Sequence, residues 1–399
     1  MKRFAVLGLA LLVACRGEPR PTSADADLVR LVDSLTPSVE RAVGLPFKRT
    51  PRARMISREQ ARAYLVGQLQ KQLPGDRAAQ LSESYKLFGL LPDTIDLRAL
   101  FVNVLTEQVA GYYDPDSGAF FGVEGASPVV FRTTVAHELV HALQHDYLPL
   151  DSLMSLRDDA DRLLAAQSVL EGQATLAMLR MQPQYGDAVL DESFWDQARE
   201  GTKQQQASMP QFAGAPRVIR ETLLFPYIEG ADYIRWWLTH EPRDQQPYGA
   251  LMPRSSEQIL DPERPRHGDV PLRVTFSDTI GAVYGDVLGA AEMRVLLAEA
   301  RQQDALVDAA ILGWGGDRFE LFGSSGGDAL VWIAVFDSPV ARDSFLAALR
   351  RGWPHPRPGY RVAADPMEMN GRPGLRLTVA PNDWRRWSAL PTATAAPAN

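Results

Sequence analysis

The stretch His137-Glu138-Leu139-Val140-His141 decides how this chain is interpreted. In an α-helix, residues four apart lie on one face about one turn along the axis, so both imidazoles can point at one ion. Glu138 is displaced by roughly 100° around the same helix and flanks that point. Its carboxylate can accept a proton from a water held there, which is the physical meaning of the H-E-x-x-H motif. The stretch therefore predicts a helical metal site with its own general base.

The residues around the motif have the pattern of a helix. The segment 130–147 contains neither Pro nor Gly, and Thr133 or Thr134 can serve as its N-cap. Its apolar residues recur at spacings of three and four, at Ala136, Leu139, Val140 and Leu143. The two histidines of the motif are thereby left on a different face of the predicted helix.

Glu171 is the best candidate for a third ligand, since a catalytic zinc site needs three protein ligands and one open position. It lies in a second predicted helix, 157–180, whose buried stripe is rich in Leu and Val. A carboxylate on such a stripe is costly to bury unless a cation compensates its charge. Imidazole and carboxylate ligands favour zinc, although they also suit other divalent metals.

His145 is a weaker candidate because of helix geometry. It lies eight residues after His137, which is about 12 Å along the helix axis. Zinc–nitrogen bonds are near 2 Å, so three successive turns cannot converge on one ion. We therefore expect His145 to be a supporting or surface histidine.

Four further blocks of sequence, together with the motif and Glu171, carry a resemblance to a known family. They are 107–118 (EQVAGYYDPDSG), Phe225-Pro226-Tyr227 with Gly230, 255–260 (SSEQIL) and 313–317 (GWGGD). With these blocks, which fall within about residues 28 to 350, the chain resembles a gluzincin-type zinc metallopeptidase of the kind found as bacterial envelope lipoproteins. The resemblance implies one zinc ion on His137, His141 and Glu171, with Glu138 as general base in peptide-bond hydrolysis.

The chain departs from the better-known gluzincins at Thr175. Those proteins place an Asp four residues after the Glu ligand, where it orients a ligand histidine. Metal-bound histidines usually donate their second N–H to a carboxylate or a carbonyl. Asp158, Asp161 or a backbone carbonyl could take this role here.

Stabilisation of the transition state needs a preorganised hydrogen-bond donor. The aromatic-rich segment 225–240, predicted to be helical, offers Tyr227, Tyr233 and His240, with Glu229 beside them. The sequence does not choose among these side chains.

The N-terminus has the pattern of a processing signal. Lys2 and Arg3 precede an apolar run, 4–13, that is too short to span a bilayer. The run ends in Leu12-Val13-Ala14-Cys15, which resembles a bacterial lipobox; an ordinary secretory signal with an incidental cysteine is the alternative. We expect residues 1–14 to be a lipoprotein signal peptide, Cys15 to be lipidated, and 15–24 to be a polar tether.

Composition limits the compartment and the partners. Cys15 is the only cysteine of the 399 residues, so the chain has neither intramolecular disulfides nor a thiolate metal site. The formal charge of −7 and the absence of a basic run argue against nucleic-acid binding. Arg16 follows the cysteine where the inner-membrane retention signal has Asp. The expected location is therefore the cell envelope, lipid-anchored at the outer membrane and facing the periplasm or the exterior, with a peptide or protein as substrate.

The predicted fold class is α+β and mainly helical. We expect a zincin-like metallopeptidase domain over 25–270, a small α+β accessory domain over 271–388 and a disordered tail over 389–399. Helical periodicity marks 25–43, 58–73, 76–90 and 94–109, and the aromatic segment 112–121 is typical of a hairpin. By analogy with zinc peptidases, residues 120–123 could pair with an extended substrate.

Two other functions remain open from the sequence. An envelope binding or assembly lipoprotein could carry an idle or structural metal site, which would be closed by a fourth protein ligand. A hydrolase of a non-peptide amide, such as a cell-wall crosslink, would share the same chemistry at the metal.

Overall fold

The computed structural model describes residues 23–153, 156–300, 311–353 and 357–398. The predicted signal peptide, Cys15 and nearly all of the predicted tether lie outside these ranges. Within them the fold is α+β and mainly helical, as predicted. No helix in these ranges is both long enough and apolar enough to span a bilayer.

Thirteen α-helices occur in the described ranges. They are α1 (Ser23–Val43), α2 (Arg58–Gln72), α3 (Arg77–Leu87), α4 (Leu97–Gln108), α5 (Pro128–His145), α6 (Leu150–Leu153), α7 (Ala160–Arg180), α8 (Glu192–Ala207), α9 (Pro210–Ala213), α10 (Arg217–His240), α11 (Ser256–Leu260), α12 (Gly289–Glu299) and α13 (Pro339–Arg351). The four helices predicted before the metal motif are confirmed within a few residues. The segment 287–311 has the apolar periodicity of a long helix; α12 covers its first part, and 301–310 lie outside the described residues.

Ten strands form three sheets in the same ranges. They are β1 (Arg52–Ile56), β2 (Gly111–Asp114), β3 (Ala119–Val123), β4 (Leu272–Phe276), β5 (Ala282–Asp286), β6 (Trp314–Phe322), β7 (Ala329–Phe336), β8 (Tyr360–Met369), β9 (Arg372–Pro381) and β10 (Ala393–Pro397). The first sheet has the order β1-β3-β2, with β1 parallel and β2 antiparallel to β3. The second pairs β4 with β10, and the third is antiparallel in the order β5-β6-β7-β9-β8.

Helix α5 begins earlier than the sequence indicated. Ser127 is the N-cap, accepting a hydrogen bond from the Val130 amide, and Pro128 occupies the first turn, where its missing N–H costs nothing. The prediction of Thr133 or Thr134 as the cap was therefore wrong. Both hydroxyls instead donate to carbonyls of the preceding turn, as internal helix residues can.

The largest hydrophobic cluster crosses the domain boundary predicted at residue 270. It joins Phe88 and neighbouring side chains of α3 and α4 to the inner face of the five-stranded sheet, including Phe319 and Trp332. The Phe88 ring meets both of these rings edge-on, at centroid distances of 5.3 and 5.8 Å. Side chains from both sides of residue 270 therefore pack together in this cluster.

The motif Gly313-Trp314-Gly315-Gly316-Asp317 has a structural function. Trp314 is buried and begins strand β6. The buried Asp317 carboxylate accepts four hydrogen bonds, from the backbone amides of Leu288 and Gly289 and from the indoles of Trp314 and Trp332. This carboxylate ties the start of α12 to the five-stranded sheet.

The tail predicted to be disordered is in fact paired. Strand β10 lies antiparallel to β4, and Asn370 donates a side-chain hydrogen bond of 2.8 Å to the Ala395 carbonyl. Leu390 also packs against the apolar cluster around Trp384. Composition alone suggested disorder, whereas tertiary pairing with β4 satisfies the backbone of this Ala-rich and Thr-rich segment.

Candidate metal centre

Two packed helices bring the predicted ligands together. Helix α5 places His137 and His141 on one face, and α7 places Glu171 opposite them. The apolar residues of α5 lie in a core cluster with α1, β3 and part of α7, which fixes the orientation of the helix. One potential ligand atom from each of the three residues lies within 4.8 Å of the other two.

The distances within this group fit a tetrahedral ion. The Nε2 atoms of His137 and His141 are 3.2 Å apart, and Glu171 Oε2 is 3.0 and 3.4 Å from them. Two ligands bonded to zinc at about 2.0–2.1 Å in tetrahedral geometry are about 3.3 Å apart. The three atoms therefore have the separations expected of three corners of a zinc tetrahedron, and this donor set fits the metal that the sequence predicted.

Among the described residues, the group contains three ligands and not a fourth. Its side chains retain 12, 15 and 25% exposure for His137, His141 and Glu171, so the group is reached by solvent. A site with three protein ligands and access to water has the composition of a catalytic zinc site rather than a closed structural one.

Glu171 and His141 shift each other's pKa in this group. Burial opposes charge on His141, but the adjacent Glu171 carboxylate outweighs it and raises the pKa of His141 to about 9. The histidines likewise overcome the effect of burial on Glu171, holding the pKa of that carboxyl well below its usual range. Without a metal, His141 is therefore protonated at neutral pH beside the ionised Glu171, and a divalent ion that binds both side chains must displace that proton.

Glu138 is held by the neighbouring sheet. The backbone N–H of Tyr113 in β2 donates to Glu138 Oε2 at 2.8 Å. Burial raises the pKa of Glu138, while the charges of His141 and His137 act in the opposite direction. The carboxylate therefore lies within electrostatic range of the three-residue group without being one of its ligands.

A close glycine crossing sets the position of Glu171. A Cβ built on Gly172 of α7 would lie 2.2 Å from the backbone of Gly230 in α10, and one built on Gly230 would lie 2.2 Å from the Ser168 carbonyl oxygen. Only glycine permits the two helix backbones to approach this closely. The crossing explains one of the family-like blocks, Phe225-Pro226-Tyr227 with Gly230, because Tyr227 lies one turn before the glycine that packs against α7. The other glycine of the crossing directly follows Glu171.

Of the predicted transition-state donors, only Tyr227 is at the site. Its ring stacks on that of His137 at a centroid distance of 6.0 Å, and 40% of the residue is exposed. The negative charge of Glu171 raises the pKa of Tyr227 well above its ordinary value. The hydroxyl consequently stays protonated and can donate a hydrogen bond near the three ligands.

The other candidates on α10 lie elsewhere. Tyr233 is buried in the cluster with Trp237, about 9 Å further along the helix axis than Tyr227. His240 is near the end of α10 and bonds the Trp236 carbonyl through Nδ1. Glu229 pairs with Arg294. Tyr233 and His240 were therefore wrong as site residues, because one helix cannot direct side chains 6 and 13 residues apart to the same point.

The predicted carboxylate partners of the histidines are also elsewhere. Asp161 accepts hydrogen bonds from Ser256, and Asp158 pairs with Arg273. Thr175 has a buried hydroxyl that no described residue bonds. The partner of His141 is instead Gln144, whose Oε1 lies 2.8 Å from His141 Nδ1. Its position three residues after His141 on the same helix was a signal in the sequence that we missed.

His145 and the hairpin complete the surroundings. His145 bonds the Tyr113 hydroxyl through Nδ1 at 2.8 Å and does not join the metal group, as predicted. The predicted hairpin over 112–121 is confirmed, but the wrong strand of it was expected to pair with a substrate. Residues 120–123 belong to β3, which is central in its sheet, so the open edge beside Glu138 is β2.

Comparison with known proteins adds little to this description. No known family model matches the sequence, and no curated protein matches it. Among solved structures, the chain is similar to a "putative hydrolase with a novel fold" from Chloroflexus aurantiacus, with a TM-score of 0.39 and 18% identity. That similarity covers 62% of this chain and 90% of the other.

Proposed function

We propose that the protein is a zinc-dependent peptidase of the gluzincin type, acting at the cell envelope. The observation that carries the proposal is the convergence of His137, His141 and Glu171 at tetrahedral separations, with Glu138 beside them and no fourth ligand among the described residues. A structural or idle site would not require a carboxylate held next to the open position.

The residues of the chain have distinct roles in this mechanism. When bound, zinc supplies Lewis acidity, which polarises the scissile carbonyl and makes water nucleophilic near neutral pH. Glu138, with Oε2 held by Tyr113, accepts the proton of the attacking water and passes it to the leaving amine. The Tyr227 hydroxyl donates to the carbonyl oxygen, which becomes an oxyanion as water adds to the carbonyl carbon.

The β2 edge supports a peptide as the substrate. Tyr113 directs its N–H away from β3, toward Glu138, and Gly111 occupies the equivalent position two residues earlier. A strand edge beside the general base can bind an extended chain through backbone hydrogen bonds. A peptide lying along β2 would present its backbone carbonyls to the space between α5 and α10.

The proposed address is the envelope, with the chain anchored through a lipid on Cys15. The support is the lipobox-like Leu12-Val13-Ala14-Cys15 and the basic residues that precede the apolar run. Metabolic labelling with a clickable fatty acid, compared between wild type and Cys15→Ala, tests this part independently of catalysis.

The experiment for the activity uses zinc-loaded protein and a diverse peptide library, with new termini identified by mass spectrometry. Wild type should cleave, and Glu138→Gln should bind zinc normally yet lose cleavage. Equal cleavage by the two proteins would refute the mechanism. Cleavage of cell-wall amides but not of peptides would favour a hydrolase of non-peptide amides with the same site. Zinc binding without any hydrolysis would favour a binding or assembly lipoprotein.

A further inference from the structure

Gln144 is a fully buried side chain in direct contact with a predicted metal ligand. Its Oε1 atom lies 2.8 Å from His141 Nδ1. Its Nε2 atom donates two hydrogen bonds, each of 3.0 Å, to the Leu170 carbonyl and to Gln173 Oε1. Both N–H groups and the oxygen of this amide thus have partners inside the protein.

These contacts determine which way the Gln144 amide points. Its NH2 group has two hydrogens, and both are directed at oxygens, one of which is the backbone carbonyl of Leu170. In a flipped amide, the Gln144 oxygen would face the Leu170 carbonyl and Gln173 Oε1. All three are acceptors, so no hydrogen bond could form between them. Oε1 must therefore face His141, and only an N–H on His141 Nδ1 can satisfy it.

The direction is reinforced by a second backbone carbonyl. Gln173 Nε2 donates to Gln246 Oε1 at 2.8 Å, and Gln246 Nε2 donates to the Val43 carbonyl at 3.1 Å. The Tyr248 hydroxyl also donates to Gln173 Oε1. We call these four residues, Gln144, Gln173, Gln246 and Tyr248, the glutamine relay. Because a carbonyl only accepts, Val43 and Leu170 together fix the polarity of the whole chain of amides.

We propose that Gln144 is a positioning residue which, through the glutamine relay, holds His141 in the Nδ1–H tautomer and leaves its Nε2 lone pair for the metal. The inference rests on the proposed zinc site. It explains how this chain orients a ligand histidine although Thr175 stands where the better-known gluzincins have Asp. Gln144 performs this orienting role from α5, whereas residue 175 lies on α7. It does so with a neutral amide instead of a carboxylate.

The same amide links two of the three ligands. Leu170, which accepts from Gln144, immediately precedes Glu171, so the bond ties the backbone of α7 at the carboxylate ligand to the α5 helix at His141. Removing the hydrogen bonds of Gln144 should consequently weaken metal binding more than removing the same number of hydrogen bonds elsewhere in the protein. Partners of this kind typically account for 10–100-fold in metal affinity or activity.

The test measures zinc affinity of the full chain by chelator competition in wild type and three variants. Gln144→Met removes the acceptor at nearly constant volume. Gln144→Glu keeps the acceptor for His141 but loses both donated bonds, so the pair of variants separates the acceptor from the donors. The matched control is Gln258→Met, because Gln258 is equally buried and loses bonds to the Arg254 amide and the Asp269 carbonyl, far from the ligands. Denaturation of each variant reports whether it folds.

We expect the zinc dissociation constant to rise by about 10–100-fold in Gln144→Met. It should rise less in Gln144→Glu and stay unchanged in Gln258→Met. Nitrogen-15 NMR of histidine-labelled, zinc-loaded wild type should show a His141 Nδ1–H protected from solvent exchange. Gln144→Met with the affinity of the control, or a His141 proton on Nε2 in wild type, would overturn the inference. Wild type that binds no zinc would instead contradict the proposed function.

Discussion

Substituting Gly230 by Ala tests whether the crossing of α7 and α10 positions the site. The new Cβ would lie 2.2 Å from the Ser168 carbonyl oxygen, and real Cβ atoms essentially never approach closer than 3.0 Å. The two backbones must therefore separate locally by at least the difference, about 1 Å. Overpacking of this kind typically costs about 1–3 kcal/mol of stability.

The catalytic effect should be larger than the effect on folding. Tyr227 lies one turn before Gly230, and Glu171 lies within one turn of Ser168. When the helices separate, at least one of these two side chains must therefore move relative to α5. A misplacement of about 1 Å can cost about 10²-fold in rate. Urea denaturation and peptide hydrolysis on the same preparation measure the two effects.

The control is the same substitution in an open position. A Cβ on Gly67, inside α2, would meet nothing within 4 Å, so Gly67→Ala should stabilise the protein by about 0.5–1 kcal/mol, the helix-propensity gain of Ala. If Gly230→Ala were as stable and as active as Gly67→Ala, the close crossing would not be what places the third ligand.

Three further predictions concern individual side chains. Glu138→Gln should bind zinc as wild type does and lower kcat by about 10²–10⁴-fold, which is the usual contribution of a general base. Steady-state kinetics measure this effect, and a change of less than about threefold would count against that role. Tyr227→Phe should lower kcat by about 10²–10³-fold with little effect on KM or zinc affinity, and an effect on KM alone would exclude oxyanion stabilisation. Burial raises the pKa of Glu292 to about 8, against a hydrogen bond from Tyr85, so the folded state holds a proton that the unfolded state releases near pH 4.5. The stabilisation from this group is complete below that pH and is lost as pH rises through 8. In denaturant titrations, the free energy of unfolding of wild type should fall by about 3 kcal/mol relative to that of Glu292→Gln between pH 5 and pH 8. The same pH dependence of that free energy in both proteins would contradict the assignment.

The metal ligands were predictable because they follow from periodicity within single helices. The four-residue spacing of His137 and His141 specifies a shared face without reference to the rest of the fold. Glu171 was found because a carboxylate on an apolar stripe requires a compensating charge. The four helices before the motif and the hairpin over 112–121 were likewise visible as local sequence patterns.

The errors concern contacts between segments far apart in the sequence. Nothing local shows that β2, rather than β3, forms the open sheet edge, or that residues 393–397 pair with β4. Tyr233 and His240 had the right chemistry, but their direction depends on how α10 packs against α7. Asp161 was a plausible partner for a histidine until packing placed it against Ser256.

The central claim is that His137, His141 and Glu171 bind one zinc ion and leave a position open. Anomalous diffraction from crystals of the zinc-loaded protein, recorded on both sides of the zinc absorption edge, tests it most directly. The account predicts a single peak about 2.0–2.2 Å from both Nε2 atoms and from a Glu171 oxygen, with no fourth protein ligand. A peak elsewhere, or one enclosed by four protein ligands, would contradict it.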